Sequence, residues 1–122
     1  NTAPYLQYAH ARIRSIFRKA GIESMASDAP IHIGEPKERA LALRLLGFDA
    51  AVTEAVERFS PHRLCTYLFD LAQDFTGFYE ACPVLKADDE ATRRSRLALC
   101  DLTARILDRG LSLLGIDVPD RM

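Results

Sequence analysis

Cys82, His62 and Asp70 are the residue types of a nucleophile, a base and an orienting carboxylate, and a hydrolytic centre would need them within hydrogen-bonding reach. Nothing in their spacing makes them converge. A second chemistry is concentrated rather than scattered. The stretch "APYLQYAHARIR" carries Tyr5, Gln7, Tyr8, His10, Arg12 and Arg14, and Arg18 and Lys19 follow. Flat rings beside guanidinium groups stack on bases and neutralise phosphates, which is what a single-stranded loop of RNA offers. The same residues also suit the margin of a helix core, with tyrosine hydroxyls wet and arginine stems laid over apolar surface.

Other candidates have a plainer reading. "HIGE", residues 32–35, differs at its fourth position from the His-Ile-Gly-His signature that holds ATP in one class of nucleotide-using enzymes, and no nucleotide-binding fold surrounds it, so a loop role is expected. His10, His32 and His62 stand singly. Cys65, Cys82 and Cys100 lie on apolar stretches with no Cys-x-x-Cys spacing, which implies reduced thiols in a cytosolic protein and no metal site. Tyr79 falls just off the apolar stripe of its helix, Arg93, Arg94 and Arg96 read as a solvated face, and Asp120-Arg121-Met122 as a frayed tail.

The elements that must carry these residues are helices. From Pro4 to Ala20, Leu6, Ala9, Ile13, Ile16, Phe17 and Ala20 recur at three- and four-residue steps, and Gly21 stops the run. Residues 22–35 form an irregular connection. Pro36 starts a second helix and Gly47 ends it, with Leu41 and Leu45 inward. Asp49 caps a third through Val52, Ala55, Val56 and Phe59. Ser60-Pro61 opens a fourth over 61–82, whose stripe of Leu64, Leu68, Leu71, Phe75, Phe78 and Cys82 is the strongest in the chain. Asp88, Asp89 and Glu90 favour the start of a fifth, with Leu99, Leu102, Ile106 and Leu113 as its seam and Gly115 as its end. No segment alternates like a strand, so the expected fold is an all-α bundle of five helices.

At 122 residues, 48% of them hydrophobic, the chain supports one core, and 1–122 is expected to be one domain. A net charge of -1 excludes a globally basic nucleic-acid binder, so only local patches can argue. They do differ: Arg12, Arg14, Arg18 and Lys19 lie in the first 22 residues without an acid, whereas the stretch from Asp49 to Glu90 is strongly acidic. No apolar run is long enough to span a bilayer, so a soluble, cytoplasmic chain is expected. A start at Asn1 suggests a piece of a longer protein.

The strings "NTAPYLQYAHARIRSI", "EPKERALALRLLGFDAAVTEAVERFSPHRLCTYLFDLAQDFTGFYEACPVL" and "RLALCDLTARILDRGLSLLGIDVPDRM", which cover almost the whole sequence, resemble the C-terminal anticodon-binding (DALR-type) domain of arginyl-tRNA synthetases. The resemblance implies a helical module that grips the anticodon stem and loop of arginine tRNA, while a separate class I catalytic domain attaches arginine using ATP. It assigns RNA contact to Tyr5, Arg12, Tyr79 and Met122, with Tyr8, Gln7 and His10 in the same motif. Pro83 and Asp120 depart from residues common at those positions in the family.

The implied partners are tRNA(Arg) and the catalytic domain of the same chain, without DNA, membrane or self-association. ATP and Mg2+ belong to that catalytic domain, and the fragment alone carries no cofactor, no metal and no catalytic residue. Two rivals keep to binding: a helical protein-interaction module, and the equivalent domain of another class I synthetase such as the cysteine enzyme. A third is a free-standing enzyme.

Overall fold

A computed structural model of the chain describes residues 2–22 and 30–119. Five helices account for most of them: α1 (Thr2–Ala20), α2 (Pro36–Leu46), α3 (Phe48–Glu57), α4 (Pro61–Ala81) and α5 (Glu90–Leu113). No strand occurs among the described residues, as the absence of alternating patterns requires.

The long α4 is the axis of the bundle, and each of the other four helices packs on it. Paired contacts set the directions. Tyr5 meets Phe69 and Arg12 meets Tyr79, so α1 runs parallel to α4. Arg44 bonds Asp74 while Lys37 lies against Gly77, which makes α2 antiparallel to α4. Phe48 against Tyr67 and Glu54 against Arg63 make α3 antiparallel too. On the other side, α5 returns antiparallel to α4, with Gly110 beside Leu68 and Arg96 reaching the carbonyl of Pro83. One continuous core results, centred on Phe17, Phe75, Phe78, Leu41, Leu71 and Leu107.

At Gly110 the two helices approach so closely that a Cβ would lie 2.6 Å from Leu68. That contact explains a correction to the fifth helix. Its expected seam is mostly outside: Leu102 and Leu113 are exposed and Ile106 is half-buried, with only Leu99 enclosed. The buried face is instead Leu97, Cys100, Ala104, Leu107 and Leu111, at steps of three and four, with Ala98 and Gly110 allowing neighbours to close in. Leu97, Leu107 and Leu111 form a second apolar stripe beside the expected one, and the small Ala98, Ala104 and Gly110 let the neighbouring helices close on that side.

The third helix also departs from expectation. Gly47, rather than Asp49, holds the N-cap position, because the chain turns directly from α2 into α3 there and the Gly47 N–H donates back to the Arg44 carbonyl. Asp49 falls in the first turn. The helix ends at Glu57, so Phe59 lies beyond it in a left-handed conformation, φ 49°, and is 93% exposed. Val56 is exposed as well, and α3 contains no fully buried residue.

Where α2, α5 and the end of α4 meet, Glu38 closes a capping box. Its Oε1 accepts the N–H groups of Gly34 and Glu35, at 3.0 and 2.8 Å. Its Oε2 accepts from Arg96 Nε at 3.1 Å, and Arg96 Nη1 donates to the Pro83 carbonyl at 2.7 Å. Burial pushes the Glu38 carboxyl up, but the N–H of Gly34, the Arg96 guanidinium and the N–H of Glu35 outweigh it and hold the group below the ordinary carboxylate range. Arg96 is therefore an internal strut and not part of a solvated face. Arg93, its neighbour, pairs with Glu90, while Arg94 is exposed.

Candidate nucleic-acid interface

Parallel packing of α1 on α4 lines up two sets of rings across one cleft. Leu6, Ile13, Ile16 and Phe17 bury the inner face of α1. That leaves Tyr5, Tyr8 and Arg12, at steps of three and four, along the edge that overhangs α4. Tyr5 is 37% exposed and lies 5.3 Å from the Phe69 ring at 44°. Tyr8, at 59%, presents its ring to solvent. The Arg12 guanidinium sits 5.2 Å from the centroid of Tyr79, which itself stacks on Phe75 at 5.9 Å and 17°. Tyr5, Tyr8, Ala9, Arg12, Phe75 and Thr76 enclose a cleft of about 110 Å³.

Arg12 and Arg14 show how the charge on α1 is divided. Arg12 is exposed, and among the described residues no carboxylate pairs with it, so its positive charge is held in place only by a ring. Arg14 turns inward, Nη1 lying 3.4 Å from Oδ1 of the buried Asp101, whose other oxygen accepts from Arg105. His10 shares the motif but is buried, 3% exposed.

Gln7 takes a part of its own. Its Nε2 donates to the Asp117 carbonyl at 2.7 Å and so ties the segment after α5 to the start of α1. Ile116 and Val118 of that segment pack on the core. Met122 lies outside the described residues. Tyr5, Tyr8, Arg12 and Tyr79 are thus brought together, with Gln7 one helical face away.

Phe75 and Thr76 complete the cleft, Phe69 backs it through its contact with Tyr5, and none of the three was expected there from sequence. Phe75 had read as core only, which it also is, and Thr76 lines the cleft while its hydroxyl donates back to the Ala72 carbonyl. The off-stripe aromatic at 69 was the available signal.

The reactive alternatives do not assemble. His62 and Cys82 lie at opposite ends of α4, about 30 Å apart at 1.5 Å per residue. Cys82 is buried with its thiol pushed up by loss of solvent, and Cys100 is pushed up to about 12 for the same reason. The HIGE segment runs without regular structure until the cap of α2, its His32 N–H donating to Ser95 Oγ at 2.8 Å. Among the described residues no group of three or more His, Cys, Asp or Glu gathers where a metal ion could be held. No helix among them is long and apolar enough to cross a membrane.

Fold and cleft together define a class: a module that is all-helical among the described residues, with rings and a guanidinium along one open cleft. The DALR anticodon binding domain family matches residues 6–122, and the chain belongs to that family. It is 62% identical, over all 122 residues, to an arginine–tRNA ligase of Thermobifida fusca, and 58% identical to one of Frankia casuarinae. Among solved structures, the arginyl-tRNA synthetase of Thermus thermophilus superposes with a TM-score of 0.86 at 47% identity, covering 98% of this chain and 21% of that one. The Plasmodium falciparum enzyme gives 0.83 at 33% identity, covering 97% and 21%. The chain spans about a fifth of the length of these relatives, 21% of the Thermobifida protein and 20% of the Frankia protein.

Proposed function

We propose that residues 1–122 form one module of an arginine–tRNA ligase and bind the anticodon stem and loop of tRNA(Arg). The observation that carries this reading is the cleft between α1 and α4, where exposed Tyr8, half-exposed Tyr5 and the Arg12–Tyr79 pair offer stacking surfaces beside a positive charge with no carboxylate on it. Unstacked bases lie on the rings, each worth about 1–3 kcal/mol, while Arg12 meets a phosphate with an affinity that falls as salt rises. The mechanism is positional. Gripping one end of the tRNA lowers the entropy cost of presenting the other end to a distant reactive centre.

ATP and Mg2+ act in the catalytic part of the longer ligase, which also supplies the chemistry of arginine attachment; the module is monomeric, takes no DNA and works in the cytoplasm. Its fold relatives at 47% and 33% identity support the arginine assignment over that of another class I enzyme.

Filter-binding titration of tRNA(Arg) against the same tRNA lacking its anticodon hairpin tests the reading. Tighter binding of the intact molecule is expected. Equal affinity for both, or none for either, returns the cleft to a protein-interaction role, and a preference for a non-arginine tRNA in a panel overturns the specificity.

A further inference from the structure

Arg14 lies two residues past Arg12, about 200° round the axis of α1, so it belongs to the flank away from the tyrosine cleft. That flank packs on α5, and the seam between the two helices is basic. α1 carries Arg12, Arg14, Arg18 and Lys19 and no acid, while α5 sets Arg93, Arg94, Arg96, Arg105 and Arg109 against Glu90, Asp101 and Asp108. One carboxylate organises the middle of the seam. Asp101 is 4% exposed; its Oδ1 lies 3.4 Å from Arg14 Nη1 across the seam, and its Oδ2 lies 2.9 Å from Arg105 Nε on its own helix. A single carboxylate cannot neutralise two guanidiniums, so the trio keeps a positive charge. Each guanidinium has five N–H donors, and the contact with Asp101 takes one nitrogen of each. The Arg105 side chain is 51% exposed and that of Arg14 21%, so both remain within reach of a ligand. Arg94, Asp101, Arg105 and Arg109 recur at seven, four and four residues, which puts them on one face of α5. Arg94 and Arg109 are exposed, and among the described residues no carboxylate pairs with either.

A merely solvated arginine face needs no anion beneath it. Taking a carboxylate out of water is costly, and Asp101 spends that cost on holding two guanidiniums side by side on neighbouring helices. Such a pair matches a phosphodiester, whose two free oxygens can each accept from one arginine. We propose that Arg14 and Arg105, aimed by Asp101, clamp a backbone phosphate of the bound RNA hairpin, with Arg94 and Arg109 meeting phosphates farther along the seam in either direction. This rests on the reading that the α1–α4 cleft takes bases of the same hairpin. The first helix is then a ridge about 10–12 Å across, with bases on one flank and backbone on the other. Asp101 is a positioning residue, acting on the RNA only through the two arginines.

Filter binding by the full-length protein tests the clamp. The double variant Arg94→Gln/Arg105→Gln removes two charges and leaves the Arg14–Asp101 tie between the helices in place. It is expected to bind tRNA(Arg) about tenfold more weakly and to lower the salt slope by about two phosphates' worth, with an unchanged melting temperature. The same fold-loss is expected with a tRNA whose anticodon bases are replaced, because a phosphate contact carries no sequence. Asp101→Asn separates a clamp from a diffuse positive field. The substitution makes the protein more positive, so a diffuse field would bind more tightly, whereas a clamp loses its aim and binds about threefold more weakly. Should Asp101→Asn fail to fold, the glutamine pair decides alone. Unchanged affinity and slope in that pair, a loss confined to the native anticodon, or tighter binding by Asp101→Asn overturns the clamp and leaves the cleft standing. A wild-type protein that binds tRNA(Arg) no better than the same tRNA without its anticodon hairpin strikes the function reading, and the clamp falls with it.

Discussion

Two arginines separate the halves of this molecule. Arg96 and Arg12 each sit beside a partner on another element, yet Arg96 is enclosed, with Glu38 on its Nε and the Pro83 carbonyl on its Nη1. Arg12 is exposed and has only a ring beneath it. The same side chain is a strut where a buried carboxylate and a carbonyl hold it, and is open to a ligand where only a ring does. In the α2–α5 corner the guanidinium ties a buried carboxylate to a carbonyl of another segment, so a change there is felt as stability. In the α1–α4 cleft Arg12 has no carboxylate on it, so on the proposed function a change there is expected to be felt as binding. The distinction can be broken experimentally.

The largest effect belongs to the corner. Removing Arg96 leaves Glu38 buried without its counter-charge, and Arg96→Ala is expected to destabilise the chain by roughly 3 kcal/mol, read from urea unfolding. The tRNA affinity of the folded fraction should not move. A large binding defect with an unchanged unfolding midpoint would show that the corner, too, reads RNA. Acid probes the same network. The folded-state pKa of Glu38 lies below its ordinary 4.5, so its contribution to stability is complete above that value and is lost as pH falls through the lowered one. Glu38→Gln should be less stable than wild type at neutral pH and should lose less on acidification. Parallel stability curves for the two proteins would remove Glu38 from the account.

Next in size is Gly110. A methyl there meets Leu68, which is fully buried and has no room to swing, so Gly110→Ala is expected to cost about 1–3 kcal/mol despite alanine's better helix propensity. Thermal melting measures it, and a raised melting temperature would mean that α4 and α5 are farther apart than described. Binding again should be spared.

The two halves were not equally legible from sequence. Helix starts and stops at Pro36, Pro61, Gly21 and Asp89 are local signals, written by missing donors, left-handed glycines and capping carboxylates, and they held. The buried face of α5 was misread because the helix carries two apolar stripes, one with Leu97, Leu107 and Leu111 and one with Leu102, Ile106 and Leu113, and only the approach of neighbouring helices, as at Gly110 against Leu68, decides which is covered. Phe59 was assigned to a helix because a left-handed phenylalanine has no sequence signature. Of the cleft, Tyr5, Tyr8 and Arg12 share a helix and their edge could be drawn. That α1 lies parallel to α4, putting Tyr79 under Arg12, follows only from packing across 67 residues of sequence. Arg96 looked like Arg93 and Arg94 for the same reason: its partner Glu38 is on a different helix.

The smallest expected effect discriminates most sharply between strut and reader. Tyr79→Ala should weaken tRNA(Arg) binding by about 1–3 kcal/mol, and Arg12→Ala should do so by a comparable amount while lowering the salt dependence by about one phosphate's worth. The two residues touch, so the losses should not add. Without Tyr79 the Arg12 guanidinium loses the ring that orients it, and without Arg12 the ring keeps Phe75 but lacks its charge. The coupling in a double-mutant cycle is therefore expected at about 0.5–1 kcal/mol, the range of an exposed cation–π contact. Helix content by circular dichroism should be the same in all four proteins. If each mutation instead unfolds the chain, the Arg12–Tyr79 pair is a second strut. If the losses simply add, ring and charge meet the RNA at separate places, and the cleft is two contacts instead of one reader.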